Sequence, residues 1–284
     1  MSLKLRIREN LLTLKKLKEG IEEGRPDLKY YAFDWDDNIL EMPTQIIVLS
    51  DNGDEVGMST EDFAEYRGLI GKEPFEYKGE NIVGFAENPF RNFRTEGDKQ
   101  FIIDSFLAKL GPSWGDFVEC INGGSIFAII TARGHNPMTL KNAIYNLILK
   151  DHEGISKETL ISNLKEYRNL MGERLNDDQI LIKEYLDMCK YYPVTYGAGS
   201  AANPEEGKKK ALEEFINYVK EISGRMVDKV DFIDDVNNNF VPQIGFSDDD
   251  PGNIEAIKDF LDTEYKDEKP VRTYLTKGGE KKEI

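Results

Sequence analysis

Cysteine and histidine are nearly missing from this 284-residue chain, which carries two of each. Cys120 and Cys189 stand far apart, so they supply neither a disulfide framework nor a cysteine-based metal site. That scarcity points to a reducing, cytoplasmic compartment as the simplest expectation. Positive charge is also short: 37 Lys and Arg face 53 Asp and Glu, a formal charge of −16. Broad nucleic-acid and anionic-membrane surfaces need basic footprints, so no nucleic-acid partner is expected. No apolar run approaches the ~20 residues that span a bilayer, and no membrane is expected. The N-terminus reads as a charged amphipathic segment rather than a signal peptide. Apolar material is not lacking: 39% hydrophobic and 11% aromatic residues are enough for a sizeable core and argue against global disorder. The length suits one large domain, or a core with a smaller inserted unit.

The most informative stretch runs from Leu28 to Met42. Tyr30-Tyr31-Ala32-Phe33 reads as a buried strand of the parallel-sheet kind, and it ends abruptly in Asp34-Trp35-Asp36-Asp37-Asn38. Three carboxylates in four residues repel one another, so something positive must hold them. The carboxyl end of a strand is where open α/β sheets bind ligands, and Mg²⁺ with a phosphate is the natural partner of clustered hard oxygens. Asp34 and Asp36 are two apart, which puts both on one side of an extended segment. One carboxylate can then attack phosphorus while the other gives a proton to the leaving oxygen. Taken alone, the pair also fits a plain acidic turn.

Along the rest of the chain, residues 3–23 have the spacing of an amphipathic helix. Asn52-Gly53 between apolar runs predicts a hairpin, and Ser59 caps a short helix through about Ile70. Residues 71–97 read as loop, with Arg91 and Arg94 either reaching substrate or simply solvated. Residues 98–110 read as helix, and another opens after Pro112. A second buried strand, Ser125–Ile130, ends in Thr131-Ala132-Arg133-Gly134-His135 ahead of a helix. The Thr131 hydroxyl and the backbone N–H groups that follow, beginning at Ala132, suit phosphate oxygens. Arg133 and His135 lie near enough to touch substrate, with His135 reading as a surface or supporting residue.

Residues 152–190 look like packing helices, and 191–196 like a further strand. Lys208-Lys209-Lys210 then open a helix, where cations oppose the macrodipole unless an anion faces them. Gln243–Phe246 is a third apolar run ending in carboxylates, Asp248, Asp249 and Asp250, before another helix. Asp234-Asp235 is a rival acidic pair, although Leu212 through Ile233 keep helical spacing. The charged stretch after Asp262 reads as a frayed tail.

These features, in this order, resemble the haloacid dehalogenase superfamily of aspartyl-nucleophile phosphohydrolases. Phe33-Asp34-Trp35-Asp36-Asp37-Asn38 matches its first motif, Ile129-Ile130-Thr131 the second, Lys208 the third, and Phe246-Ser247-Asp248-Asp249-Asp250 the fourth. Asp37 stands where many relatives have Gly, and Asn38 where Thr is common. The resemblance implies a Rossmann-like three-layer α/β/α sandwich with a mostly parallel central sheet. Residues 1–41 and 121–284 would form its core, and 42–120 a cap inserted between the first two motifs. It further implies a Mg²⁺-dependent phosphatase acting on a small phosphorylated substrate. Asp34 would be the nucleophile and Asp36 the acid–base residue. Thr131, Ala132 and Lys208 (or Lys209 or Lys210) would hold the phosphoryl group. Asp34, the Asp36 main chain and Asp248 or Asp249 would hold the metal. A phosphotransferase or mutase of the same superfamily, or a non-catalytic regulatory module on the fold, is the alternative.

Overall fold

The computed structural model describes residues 29–169, 177–197, 203–227, 243–277 and 280–284. The expected N-terminal helix, the Asp234-Asp235 pair and most of the small-residue loop before Lys208 lie outside these residues.

A six-stranded sheet organises the chain. Its strands are β1 (Lys29–Phe33), β8 (Phe127–Thr131), β9 (Lys190–Pro193), β10 (Gln243–Asp248), β11 (Val271–Lys277) and β12 (Glu280–Glu283). They run in the order β12-β11-β10-β1-β8-β9, and only β12 is antiparallel to its neighbour. A mostly parallel sheet buries both faces, which is why β1 and β8 read as unbroken apolar runs. Tyr30, Ala32 and Phe33 are buried, and so is every residue of β8. Parallel strands also end together. Phe33 pairs with Ser247 on one side and Ile129 on the other, so Asp34, Asp248 and Thr131 emerge along one edge.

Helices supply the other wall of the core. In α4 (Pro137–Leu149) the buried residues Leu140, Ala143, Ile144, Leu147 and Ile148 follow a single helical stripe, and the Asn136 side chain caps its start. In α7 (Pro204–Val227) the buried stripe is Ala211, Leu212, Phe215, Ile216, Val219 and Ile222, and Lys208 heads it. The stripes of α5 (Lys157–Asn169), α6 (Asp178–Met188) and α8 (Pro251–Glu264) add Leu160, Ile182 and Ile257 to the same core. No helix among the described residues is long and apolar enough to cross a membrane.

Between β1 and β8 the chain makes an excursion. It leaves through β2 (Leu40–Glu41) and returns through β7 (Lys109–Leu110), and these two short strands pair with each other. Within the excursion β3 (Ile46–Ser50), β4 (Glu55–Met58), β5 (Phe75–Tyr77) and β6 (Glu80–Phe85) form a separate antiparallel sheet, ordered β4-β3-β6-β5. Val48, Met58, Ile70, Tyr77 and Ile82 give that sheet a small core of its own. By contrast α2 (Asp98–Leu107) and α3 (Trp114–Asn122) contribute Phe101, Trp114, Phe117 and Ile121 to the main core.

The Asn52-Gly53 hairpin and the Ser59 cap are present, although the helix they precede, α1 (Thr60–Tyr66), stops short of Ile70. Two expectations are corrected. Residues 71–97 are not all loop: β5 and β6 form a hairpin across Lys78-Gly79, both at positive φ as a type I′ turn requires. Lys-Gly lacks the Asn or Asp that usually marks such a turn. The stretch after Asp262 is likewise no frayed tail, because α8 runs on to Glu264 and β11 and β12 extend the main sheet. Charged and Thr residues interrupting the apolar ones hid β11, whose Thr273 and Thr276 are buried.

Asn38 ties the first turn to this sheet. Its buried amide nitrogen reaches the carbonyls of Asp34 and Ser247 at 3.0 and 3.1 Å and the Ser247 hydroxyl at 3.0 Å. Its oxygen accepts from the Thr276 hydroxyl at 2.9 Å. Gly111 packs so closely on this turn that a Cβ would sit 2.5 Å from the Asn38 carbonyl. Asn38→Ala therefore strands several buried polar groups and should cost about 2–4 kcal/mol of unfolding free energy. Chemical denaturation measures this; a loss well below about 1 kcal/mol would show the network to be dispensable.

Candidate active site

Three acidic residues and one lysine meet where β1 and β10 end. Asp34 donates its backbone N–H to the Ser247 carbonyl at 2.9 Å, so the two strand tips stay side by side. One oxygen from each of Asp34, Asp248 and Asp249 lies within 4.8 Å of the others. The Lys208 Nζ donates to Asp248 Oδ2 at 2.7 Å and lies 3.0 Å from Asp34 Oδ1. The second contact is an ion pair poorly aligned for a hydrogen bond, and Asp34 Oδ1 is a buried oxygen with no hydrogen-bond donor. The other Asp248 oxygen accepts from the N–H of Asp250, the cap of α8, at 3.1 Å and from the side-chain amide of Asn253 in its first turn at 2.9 Å.

Lys208 is thus the member of the lysine triplet that faces the site. Lys209 pairs with Glu206 on the surface, and Lys210 is exposed. The anions in front of Lys208 explain a lysine at a helix start, where the macrodipole alone disfavours it.

Burial disfavours the charged forms of Asp34, Asp249 and Lys208. It pushes the Asp34 carboxyl well above the usual range; Lys208 opposes the shift, and Asp248, Asp249 and Asp36 add to it. Asp249 is pushed up to about 8 by burial and by Asp248. Burial would lower the Lys208 ammonium, but Asp248 and Asp34 outweigh it and hold the pKa above the ordinary lysine value. Carboxylates this close, with one lysine among them, remain short of positive charge. Hard oxygen donors with an undonated buried oxygen fit a small divalent cation such as Mg²⁺.

The remaining expected residues stand around this centre. Thr131 is fully buried at the tip of β8, and its Oγ1 accepts from the Arg133 N–H at 3.3 Å. Ala132 is exposed, and its carbonyl accepts from the Thr195 hydroxyl at 2.9 Å. The Asp36 carboxylate lies outside the three-acid group and is gripped by Arg133. Asp37 occupies the left-handed region at φ 53°, a conformation that Gly adopts freely and Asp tolerates. The Asp37 carboxylate accepts from the Thr60 hydroxyl at 2.8 Å, which links the excursion to the turn, and burial raises the Asp37 pKa to about 6. Arg91 pairs with Glu55. The burial of Arg133 is invisible in the sequence, since nothing in a Thr-Ala-Arg-Gly turn says that the arginine points inward.

No family model, curated protein or solved structure matches this chain.

Protons and a divalent cation should compete for this centre. Between their unfolded pKa and the raised folded one, Asp34 and Asp249 hold more protons folded than unfolded, so stability falls as pH rises through that window. His135 has the opposite sign, because burial and Arg133 lower its pKa, but its effect lies below about pH 6.5. In EDTA, melting should lose about 1 kcal/mol, or about 2 °C, between pH 7 and pH 9, and saturating Mg²⁺ should flatten that slope. A melting temperature that climbs across this range in EDTA contradicts the assignment.

Proposed function

We propose that this protein is a Mg²⁺-dependent phosphatase of the haloacid dehalogenase type, hydrolysing a small phosphorylated metabolite through an aspartyl-phosphate. The observation that carries the reading is the bridge of Lys208 between Asp34 and Asp248, with Asp249 alongside. Residues distant in sequence supply a nucleophile, a phosphate-binding cation and a metal-binding carboxylate at one edge of a parallel sheet. On this reading the helices and sheet form a three-layer Rossmann-like core. The excursion within 42–120, built on the four-stranded sheet, then serves as a cap that excludes water over substrate.

In this mechanism an Asp34 carboxylate oxygen attacks phosphorus. The bond from phosphorus to the leaving oxygen breaks, and Asp36 gives that oxygen its proton. Water then attacks the aspartyl-phosphate, Asp36 takes the water's proton, and the Asp34–phosphorus bond breaks to release inorganic phosphate. Thr131, the Ala132 backbone N–H and Lys208 hold the transferring oxygens, where donors and positive charge act most strongly on the transition state; the next two N–H groups are committed to Thr131 Oγ1 and the Phe93 carbonyl. Asp34, the Asp36 main chain and Asp248 or Asp249 would hold Mg²⁺, whose charge offsets the repulsion between carboxylate and phosphate.

The test is phosphate release from a mixed screen of phosphorylated sugars, nucleotides and acids with Mg²⁺. Asp34→Asn should release phosphate at less than about one-thousandth of the wild-type rate. It should melt no lower than wild type, because it removes a buried repelling charge. Equal rates in the two proteins would sink the nucleophile assignment, and transferred product in place of free phosphate would mark a phosphotransferase.

A further inference from the structure

Arg133 is a long cation that is 1% exposed, and the phosphoryl chemistry just described does not use it. All three of its guanidinium nitrogens are engaged. Nε and Nη2 donate to the two oxygens of Asp36 at 2.7 and 2.6 Å. Nη2 also donates to the Thr44 hydroxyl at 2.8 Å, and Nη1 meets His135 Nε2 at 3.1 Å. The rings of Phe93 and Phe101 lie 4.7 and 4.9 Å from its central carbon. His135 accepts at Nε2, which leaves its proton on Nδ1 to donate to Asp98 at 2.8 Å.

This cradle is assembled from separate pieces of chain. Thr44 lies where the excursion begins, Phe93, Asp98 and Phe101 where it ends, and Arg133 and His135 follow β8. A backbone bond from the Gly134 N–H to the Phe93 carbonyl, at 2.8 Å, joins them. Gly134 leaves no space for a side chain there, since a Cβ would meet Thr195 Oγ1 at 2.9 Å.

We infer that Arg133 is a positioning residue: its fork fixes the plane of the Asp36 carboxylate through one lone pair on each oxygen, and a remaining lone pair carries the proton that passes to the leaving oxygen and is taken back from the attacking water. This rests on the phosphatase reading. A planar bidentate fork fixes both the place and the plane of a carboxylate, which a lysine ammonium cannot. Acid–base transfer needs that placement to a fraction of an ångström. Stability does not account for the arrangement, because a buried ion pair seldom gains more than the desolvation of its charges costs. Arg133 touches neither phosphorus nor the leaving oxygen in this scheme; it acts through Asp36 alone.

Two leaving groups separate positioning from general support. p-Nitrophenolate departs without a proton, whereas an alkoxide needs one. Arg133→Lys should lower kcat about 100-fold on the best alkyl monoester from the substrate screen and under about tenfold on p-nitrophenyl phosphate, the same pattern expected of Asp36→Asn. Added to Asp36→Asn, it should change neither rate by more than about twofold, since a residue acting only through Asp36 has nothing left to aim. Should Arg133→Lys not fold, Phe93→Leu, which thins the partly exposed wall of the cradle, carries the same comparison with smaller losses. Equal losses on both esters, no loss at all, or losses that multiply with Asp36→Asn overturn the positioning role while wild-type activity stands. Wild-type protein that releases no phosphate from either ester overturns the phosphatase reading, and this inference with it.

Discussion

Like charges gathered out of water are the constraint on which this structure turns. The tips of β1 and β10 present Asp34, Asp248 and Asp249 within reach of one ion, and one buried lysine answers them. Such a cluster persists only where the rest of the fold over-determines it. Here the parallel pairing of β1 and β10, the Asn38 amide and the apolar stripe of α7 all fix the same few atoms. The balance is incomplete without further positive charge, as the raised pKa values of Asp34 and Asp249 record. A site poised in this way has the donor set to take up a divalent cation.

Much of this arrangement is legible in the order of the amino acids. Strands buried on both faces announce themselves as unbroken apolar runs, and β1, β8 and the apolar part of β10 do so. Their acidic or hydroxyl endings then locate the sheet edge. Lys208 can also be singled out, because it continues the spacing of Ala211, Leu212, Phe215 and Ile216, while Lys209 and Lys210 fall off that stripe. The strands β5, β6 and β11 are harder to see. They are short or mixed in composition, and their positions depend on partners rather than on a local pattern.

The cradle around Arg133 is beyond sequence reasoning for another reason. Its members come from residues 44, 93, 98, 101, 133 and 135, and only the folded excursion brings them together. An arginine is normally read as solvent-facing, and its hydrogen-bonding and stacking partners cannot be inferred from one Thr-Ala-Arg-Gly turn. Asp37 shows the reverse case. Its departure from the glycine common at this position in the resembled superfamily looks like added charge. In the fold it is a left-handed residue whose carboxylate is tied to Thr60.

The central strand is also the earliest described segment of the chain, and Lys29 pairs with Gln243. A ribosome adding roughly 5–20 residues per second would keep β1 waiting about 10–40 s for that neighbour to emerge. Throughout that interval its apolar edge has no β10 to cover it. The acidic residues just beyond it then work against edge pairing with other nascent chains.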